Sequence, residues 1–470
     1  MASTITAPTY DPVNTANSLA EKYVMARRQI LDAQGAAARA TEKGLTELGS
    51  AMTAFQTSMA ALTGLNKSLY AQAATFSDTT VGSATAGPTA APGSYAFFVA
   101  KLATASQVSY AGLTNGTGVS GTLVVNMGAA PAFDVVLDGA DTDGVAGLSP
   151  RELAAAINAA PDNKSLVTAS VISTGTEFEL VLTARNTGAN TAITLNTTGV
   201  TSVPVGSSSL EKANDPALLR IRELVAAQDA EIHIGAESGT LIKQATNTFT
   251  NIDGVKMTFT KAQAPGSAPV TIEVGADTKN TTANVQGFID AYNKLKGVLN
   301  KLTDSGDPSK GTAGGSFAND GSIRALNERL VGMLRPSTTG DTLAAFGIIA
   351  SRDGTLELNN DRLQRQLALK PTGLDVLIGS SSASAPSGIA GTLDKFIKSW
   401  SNTADGRIKQ RKEQTSDLQS TLADRQAFLE IQQEAAYNRY LRQFTALQSL
   451  QGAMNNNLSM FDAMFGNNND

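Results

Sequence analysis

Residues 45–69 read LTELGSAMTAFQTSMAALTGLNKSL, and the apolar residues of this stretch decide our interpretation of the fold. They alternate at spacings of three and four, which is the pattern of a coiled-coil seam. Such seams tolerate a polar residue that fixes their register, and Asn66 would fill that place here. The stretch therefore predicts a long helix that needs a facing helix. The apolar members of the seam are Leu45, Leu48, Met52, Phe55, Met59, Leu62 and Leu69.

The same helix is expected to weaken towards the N-terminus. Between residues 13 and 31 the apolar face is thin and consists largely of alanine. Gly35 and Gly44 then interrupt the pattern, and a glycine inside a helix is destabilising because it loses the most conformational freedom. We therefore expect frayed or conditional helix before Leu45.

The C-terminal end mirrors this arrangement. Residues 407–451 contain neither glycine nor proline, and as one helix they would run for about 68 Å. Towards the end of the chain the apolar residues recur about every 3.5 positions, which is again a coiled-coil period. Cations crowd the predicted helix start, so we expect them to meet acidic neighbours or solvent. The C-terminal seam comprises Tyr437, Leu441, Phe444, Leu447, Leu450, Met454, Leu458, Phe461 and Phe465, and the cations are Arg407, Lys409, Arg411 and Lys412.

Two seams at opposite ends of one chain predict that the ends pair with each other. The expected fold class is α+β and multidomain, with the terminal helices paired in an antiparallel coiled-coil stalk and β-rich head domains inserted between them. The alternative is that each end packs into an ordinary helical bundle. The four expected domains are the terminal coiled coil (1–44 and 437–470), a helical stalk domain (45–76 and 281–436), a β-rich head domain (77–107 and 206–280) and an inserted α+β head domain (108–205).

The middle of the chain has the patterns of strands. Residues 94–102 predict a strand, and residues 77–92 are interpreted as a linker rich in Thr, Ala, Gly and Pro. If this strand shares a sheet with the predicted strands after residue 230, then 108–205 is an insertion within that sheet. Inside the insertion, Ser149 and Glu152 have the spacing of a capping box with Pro150 at the first helical position, which predicts a helix over 150–159.

Composition excludes several classes of function. The 470 residues carry 37 Lys and Arg against 42 Asp and Glu, so the formal net charge of −5 argues against a nucleic-acid binder. Cysteine is absent and His233 is the single histidine, which excludes thiol catalysis, disulfides and metal sites built on Cys or several His. No cofactor, metal site or catalytic group is predicted. No signal-peptide pattern and no membrane-spanning apolar run occurs, so we expect export, if any, without a cleaved leader.

Four features of the sequence have both a functional and an ordinary structural interpretation. Gly116, Gly118 and Gly121 match a dinucleotide fingerprint by spacing but lead into a strand, so a glycine turn is favoured. A P-loop-like spacing from Gly306 lacks the required lysine. Asp141, Asp143 and Glu152 fit three positions of a calcium loop, but the capping box accounts better for the glutamate. His233 is expected to cap a turn or to face solvent.

Several segments together resemble one known family, the bacterial flagellar filament cap proteins, also called flagellar hook-associated protein 2. No single segment is specific, but their order over some 380 residues is. LSPRELAAAINAA (148–160) also resembles a motif of insertion domains in flagellin and hook-associated proteins. The segments are FSDTTVGSATAGPTAAPGSYAFFVAKLATASQV (76–108), IDGVKMTF (252–259), FIDAYNKL (288–295), FANDGSIRALNERLVGML (317–334), FGIIASRDGTLELNNDRLQRQL (346–367) and RYLRQFTALQSLQGAMNN (439–456).

The resemblance implies a structural protein at the extracellular tip of the flagellum. It implies that copies form a ring, usually described as a pentamer, that promotes flagellin insertion and prevents the loss of unpolymerised flagellin. The implied partners are other copies of the chain, flagellin, the export apparatus and a cytoplasmic export chaperone. Host surface glycans are a candidate partner of the inserted domain; neither nucleic acid nor membrane insertion is expected.

The residues expected at the helix seam and at the oligomer or filament interface come from both ends of the chain. Two alternatives stay open: another axial protein, such as a flagellin or a hook–filament junction protein, and a surface adhesin at the flagellar tip. The interface residues are Leu45, Leu48, Met52, Phe55, Met59, Leu62, Leu441, Phe444, Leu447, Met454, Leu458, Phe461 and Phe465.

Overall fold

The computed structural model describes residues 11–465, apart from 112, 114–118, 146, 176–177, 202–219 and 336–339. The chain forms two compact units. A helical unit combines the residues up to Leu69 with those from Thr282 onward, and a β-rich unit comprises Tyr70–Thr281. This agrees with the predicted α+β class, in which long terminal helices flank a β-rich middle in the sequence. The limits that the sequence analysis gives to four domains stay a prediction.

Eight helices and eighteen strands are found in the described part of the chain. In chain order the helices are α1 (Pro12–Thr63), α2 (Pro150–Ala159), α3 (Thr278–Thr303), α4 (Gly321–Met333), α5 (Asn360–Leu369), α6 (Gly373–Ile378), α7 (Gly388–Ser401) and α8 (Arg407–Phe465). The strands are β1 (Gln72–Phe76), β2 (Gly82–Ala86), β3 (Gly93–Lys101), β4 (Gln107–Ala111), β5 (Ser120–Met127), β6 (Ala130–Val136), β7 (Val167–Ser173), β8 (Phe178–Ala184), β9 (Ile193–Asn196), β10 (Val200–Thr201), β11 (Arg220–Val225), β12 (Ala230–Ile234), β13 (Thr240–Gln244), β14 (Thr248–Ile252), β15 (Val255–Phe259), β16 (Val270–Ala276), β17 (Ile348–Ala350) and β18 (Leu356–Leu358).

Helix α1 is longer at its start and shorter at its end than the sequence predicts. It begins at Pro12, where the Asp11 side chain accepts a hydrogen bond from the Val13 amide at 2.9 Å, and it continues without a break to Thr63. The expected fraying before Leu45 is therefore wrong, because packing against α8 stabilises that stretch, whereas a conditional helix there stays a prediction.

The end of α1 corrects the predicted seam. At Gly64 the amide donates to the carbonyl of Ala60 at 3.0 Å and the helix stops. Asn66 has a φ of 58°, in the left-handed region, so it occupies a turn and not a seam position. Leu69 is buried beyond the helix, where its amide donates to the Asp375 carboxylate at 3.0 Å. The apolar spacing therefore continues past the end of α1, because a residue in a turn can also be buried in the core.

The β-rich unit contains two cores. The first lies between a five-stranded sheet of order β1-β16-β3-β12-β13 and a three-stranded sheet of order β14-β15-β2. Its centre is Phe259, which meets Phe76, Phe97 and Phe249 edge to face at centroid distances of 5.7, 6.1 and 5.4 Å. The interpretation of 77–92 as a linker is wrong, because β2 lies within it and pairs with β15. Its small residues suit close packing, since a Cβ at Gly82 would lie 2.6 Å from the Thr258 carbonyl.

The second core belongs to the residues between β3 and β12. Strand β3 pairs with both β12 and β16, so these residues enter and leave through one sheet. Thr104 and Gln228 close the connection by exchanging backbone hydrogen bonds at 3.0 and 3.4 Å. Beyond it, α2 packs with the sheet β11-β4-β8-β7 and with a second sheet in which β5 pairs with β6, β9 and β10. The predicted capping box is confirmed, with the Ser149 and Glu152 side chains each accepting from the other residue's amide.

Candidate functional site

The lower part of α1, residues 45–63, contributes to the core of the helical unit. Five of the predicted seam residues are buried there, where α1 packs against α7 and α8, and Leu62 is half-buried. Polar contacts reinforce this packing, since Gln56 donates to Asp394 at 3.3 Å and accepts from Ser401 at 2.9 Å. These apolar side chains hold the fold together and do not reach the surface. The five are Leu45, Leu48, Met52, Phe55 and Met59.

The upper part of α1, residues 16–38, forms an antiparallel two-helix coiled coil with α8. The predicted pairing of the two chain ends is therefore confirmed. The apolar core of this coil is small. It consists of Val24, Leu31, Ala38, Leu422 and Leu429. A two-helix coil with so few large side chains buries little apolar area, so its pairing is expected to be weaker than the packing below it.

Polar contacts along the edges of the coil set its register. Arg27 donates to Gln432 at 2.8 Å and Arg28 to Gln433 at 2.5 Å, which places these pairs level with each other. At the other end of the coil, Gln419 donates to Glu42 at 2.9 Å. These partners lie on exposed positions, so each contact adds little stability but penalises any slip of one helix along the other.

A polar and aromatic cluster marks the point where the coil meets the bundle. Phe317 is buried against α1, and the guanidinium of Arg411 lies 5.4 Å from the centre of its ring. Arg411 also pairs with Asp320, the residue that caps α4. A Cβ at Gly44 would lie 2.4 Å from the Ser316 hydroxyl and 2.9 Å from the Phe317 ring, so glycine permits this close approach. The predicted acidic neighbour of the α8 cations is confirmed for Arg411.

The carboxylate of Asp320 is held in its charged form. Burial alone would raise the pKa of Asp320, but hydrogen bonds from Arg411, Ser322 and the Ile323 amide outweigh it and lower the pKa to about 2. Sequence reasoning missed this cluster, because Gly44 and Asp320 lie far apart in the chain and no spacing relates them. The only signal was the run of cations at the start of α8.

Helix α8 continues past the level at which α1 begins. In the register given by Arg27 and Gln432, Pro12 lies level with about residue 447, so the last turns of α8 extend some 27 Å further. Leu441 and Phe444 are half-buried near the end of the coil. The side chain of Phe465 lies outside the described residues. The exposed predicted interface residues in this extension are Leu447, Met454, Leu458 and Phe461.

The extension is uncharged over a considerable length. No Asp, Glu, Lys or Arg occurs between Arg442 and Asp462, and the polar residues are Gln, Asn, Ser and Thr. Exposed leucine, methionine and phenylalanine side chains on an uncharged helix form a surface that binds by apolar contact. Among the described residues, this extension is therefore the best candidate for a binding surface of the helical unit.

The remaining motifs of the sequence have structural roles where they can be described. Glu152 accepts hydrogen bonds from the amides of Ser149, Thr142 and Asp143, and the first two are the main reason that its pKa falls to about 2. Asp141 and Asp143 lie beside it, and each accepts a hydrogen bond from an amide of its own loop. These hydrogen bonds give each of the three carboxylates a structural role in the loop.

The histidine and glycine motifs are resolved in part. His233 contacts the Gly239 carbonyl at 3.0 Å, as predicted for a residue that caps a turn. Gly116 and Gly118 lie outside the described residues, and Gly306, with a φ of 72°, directly precedes the turn that the Asp307–Thr312 bridge closes. No helix in the described part of the chain is both long and apolar enough to cross a membrane.

Comparison with known proteins gives a consistent result. The family model for the N-terminus of flagellar hook-associated protein 2 matches residues 10–106, and the model for its C-terminus matches residues 227–456. The lateral flagellar hook-associated protein 2 of Vibrio parahaemolyticus is 30% identical over 385 residues, covering 80% of this chain and 82% of that protein. The A-type protein of Pseudomonas aeruginosa is 29% identical, covering 88% of this chain and 86% of that protein.

A solved structure shares the fold. The crystal structure of three domains of the flagellar cap protein from Escherichia coli superposes with a TM-score of 0.61 at 24% identity, covering 79% of this chain and 99% of that one. The two matched family regions flank residues 107–226, which contain most of the second core of the β-rich unit.

Proposed function

The chain belongs to the flagellar hook-associated protein 2 family, and we propose from this premise that it caps the distal end of the bacterial flagellar filament. In this role it is an extracellular structural protein that promotes flagellin insertion and prevents the loss of unpolymerised flagellin. The observation that carries the proposal is the match of both family regions, in order, on a chain whose two ends pair as one coil.

The C-terminal extension of α8 is the proposed filament-docking surface. Its exposed apolar side chains continue the seam that faces α1 lower in the coil, so a helix of flagellin can replace α1 as the facing helix beyond Pro12. Because the extension is uncharged over 443–461, the contact can shift along the helix without breaking ion pairs. This property suits a cap that must be displaced each time a flagellin subunit is inserted.

Assembly and export complete the proposal. Copies of the chain form a ring, with the pentamer as the expected form, and the protein leaves through the flagellar export apparatus with the help of a cytoplasmic chaperone. Soluble glycan binding by the inserted domain would add host surfaces as a partner.

A gene deletion tests the proposed function. Without the protein, the medium should contain abundant monomeric flagellin and the filaments should be missing or stunted. Filaments of normal length with no flagellin in the medium would contradict the capping function.

Substitutions in the extension test the docking surface. Changing Leu458, Phe461 and Phe465 to Ser should release flagellin into the medium while the circular dichroism of the purified protein stays nearly unchanged. The matched control changes Asn455, Asn456 and Asn457 to Ser in the same helix and should leave filament assembly intact. Normal filaments in the apolar variant would show that docking uses another surface.

A further inference from the structure

The outward faces of the two coil helices are exposed and carry opposite charge. On α8, Asp424 and Ile431 each follow a seam leucine by two residues, which turns them about 200° away from α1. On α1, Lys22 precedes the seam residue Val24 by two positions and points away from α8 in the same manner. The outward face of α8 comprises Asp417, Asp424, Ile431 and Glu434, and that of α1 comprises Lys22, Met25, Arg39 and Lys43.

The residues of these two faces lie at similar heights, that is, at similar positions along the axis of the coil. The coil register sets residue 27 level with 432 and residue 42 level with 419. In this register each acidic residue of α8 lies within about one helical turn of a basic residue of α1 along the coil axis, and the two apolar residues also lie about one helical turn apart along it. The matching pairs are Asp417 with Lys43, Asp424 with Arg39, Ile431 with Met25, and Glu434 with Lys22.

A single copy cannot make these pairs. Met25 and Arg39 each follow a seam residue of α1 by one position, about 100° from the seam, whereas Asp424 and Ile431 lie about 200° from theirs, so the two faces lie on different sides of the coil. Among the described residues none of these six charged side chains takes part in an ion pair. Met25 and Ile431 are 48% and 62% exposed, although both are apolar. The complementarity is therefore available to a second copy of the chain.

We propose that the outward face of α8 in one copy docks against the outward face of α1 in the next copy. A rotation about an axis parallel to the coils moves a neighbour around the axis without changing its height, so the matched heights are retained between copies. The contact is heterologous, and such contacts close into a ring when the rotation between neighbouring copies divides a full turn evenly. Met25 and Ile431 form its apolar centre, and the ion pairs above and below fix its register. The inference rests on the proposed ring of caps and identifies which surfaces of the helical unit join neighbours.

Disulfide trapping tests the contact directly, because the native chain has no cysteine. In the full-length variant Arg39→Cys with Asp424→Cys, oxidation should produce a ladder of covalently linked copies. Within one copy the two sites lie on different sides of the coil, beyond the Cα separation of about 7 Å that a disulfide permits. The matched control pairs Arg39→Cys with Arg425→Cys, which lies at nearly the same height but about 100° around α8, and it should give only background cross-linking. Equal ladders in both variants, or none in either, would overturn the proposal.

Charge reversal gives a second test that does not depend on cross-linking. At low salt, Arg39→Glu should raise the protein concentration needed for half-assembly by about three- to ten-fold, measured by sedimentation velocity. Adding Asp424→Arg to the same chain should return it to within about two-fold of the original value. The effect of Arg39→Glu on the concentration for half-assembly should shrink at 0.5 M salt, because salt screens the interaction between exposed charges. Failure of the second substitution to restore assembly would contradict direct pairing.

The proposed function can be judged separately from this contact. If Arg39→Glu, alone and combined with Asp424→Arg, assembles like the unaltered chain and flagellin still leaks from the deletion strain, the cap function stands and the docking face is wrong. If the deletion strain builds normal filaments, the cap function falls, whereas a ladder specific to Asp424→Cys would still establish the contact between copies.

Discussion

Two stretches of the same helix, Leu45–Met59 and Ala16–Ala38 of α1, share a heptad spacing but have different surroundings. In the lower stretch every seam position is a large apolar residue, and α7 and α8 both cover it. In the upper stretch α8 faces the seam, and Arg27 and Gln34 occupy the layers between Val24, Leu31 and Ala38. Periodicity therefore predicts which face of a helix is covered, whereas the stability of a helical stretch depends on how many neighbouring helices cover that face.

The largest expected difference between the two stretches is the cost of removing a leucine. Leu48→Ala in the lower stretch should destabilise the helical unit by about 3–5 kcal/mol, because it leaves a cavity among rigid neighbours. Leu31→Ala in the upper stretch should cost about 1 kcal/mol, since that site faces one helix and lies near solvent. Urea unfolding followed by the fluorescence of Trp400, the single tryptophan, which is buried on α7, measures the first effect.

Hydrogen exchange measures the second effect and checks the comparison. Leu31→Ala should speed exchange over residues 16–38 and leave 45–59 protected. Equal losses of stability in the two variants would mean that the upper coil and the lower bundle unfold as one cooperative unit.

Gly35 and Gly44, two of the three glycines of α1, should respond in opposite directions to alanine. Gly44→Ala should cost about 1–3 kcal/mol, because the new methyl group would meet Ser316 and Phe317 at distances below 3.0 Å. At Gly35 the nearest atom to a new Cβ would be 3.8 Å away on the flexible Arg39 side chain, so Gly35→Ala should stabilise the helix by about 0.5–1 kcal/mol. Thermal melts followed by circular dichroism compare the two variants. A stabilising Gly44→Ala would contradict the close packing of the loop against α1.

The Asp320 cluster should make the base of the coil sensitive to acid. The pKa of Asp320 is about 2 in the folded chain against about 3.9 when unfolded, so its charge stabilises the fold above about pH 4. That contribution is lost as the pH falls from about 4 to about 2. Asp320→Asn should lower stability at pH 7 by about 1 kcal/mol, and the difference from the unaltered chain should vanish near pH 2. A difference that is independent of pH would exclude the ion pair with Arg411 as its cause.

The smallest effect is expected at the polar edge of the upper coil. Arg28→Ala removes the exposed hydrogen bond to Gln433 and should cost at most about 0.5 kcal/mol. Hydrogen exchange of the neighbouring amides is sensitive enough to detect it. Gln29→Ala, on the adjacent exposed position, serves as the control and should leave exchange unchanged. A cost above about 1 kcal/mol would show that polar contacts, and not the thin apolar seam, hold the coil together.

Much of the fold could be predicted from local patterns. The capping box at Ser149 and Glu152 identified α2, because both partners of the motif lie within four residues. The strand pattern over 94–102 located β3 within one residue at each end, since alternation along a strand is also local. Strand β2 was missed because its small residues, such as Gly82, resemble a linker until β15 is known to lie beside them.

The candidate site was predicted less completely. The spacing identified the apolar residues of both chain ends, but it could not distinguish Leu48, which is buried in the bundle, from Leu458, which is exposed on the extension. That distinction depends on where the partner helix ends, and the register of α1 against α8 determines it. The contact of Gly44 with Phe317 was also inaccessible, because glycine has the same local pattern whether it interrupts a helix or permits close packing.

The sequence by itself determined the α+β class, the pairing of the two ends, the family and the absence of cysteine chemistry, because these follow from composition, periodicity and ordered motifs. The tertiary structure alone decided where α1 ends, how far α8 extends beyond it, and which charged residues face outward. Those features depend on the relative position of segments some 400 residues apart. The free energy that fixes such positions comes from contacts between segments, and no local pattern records it.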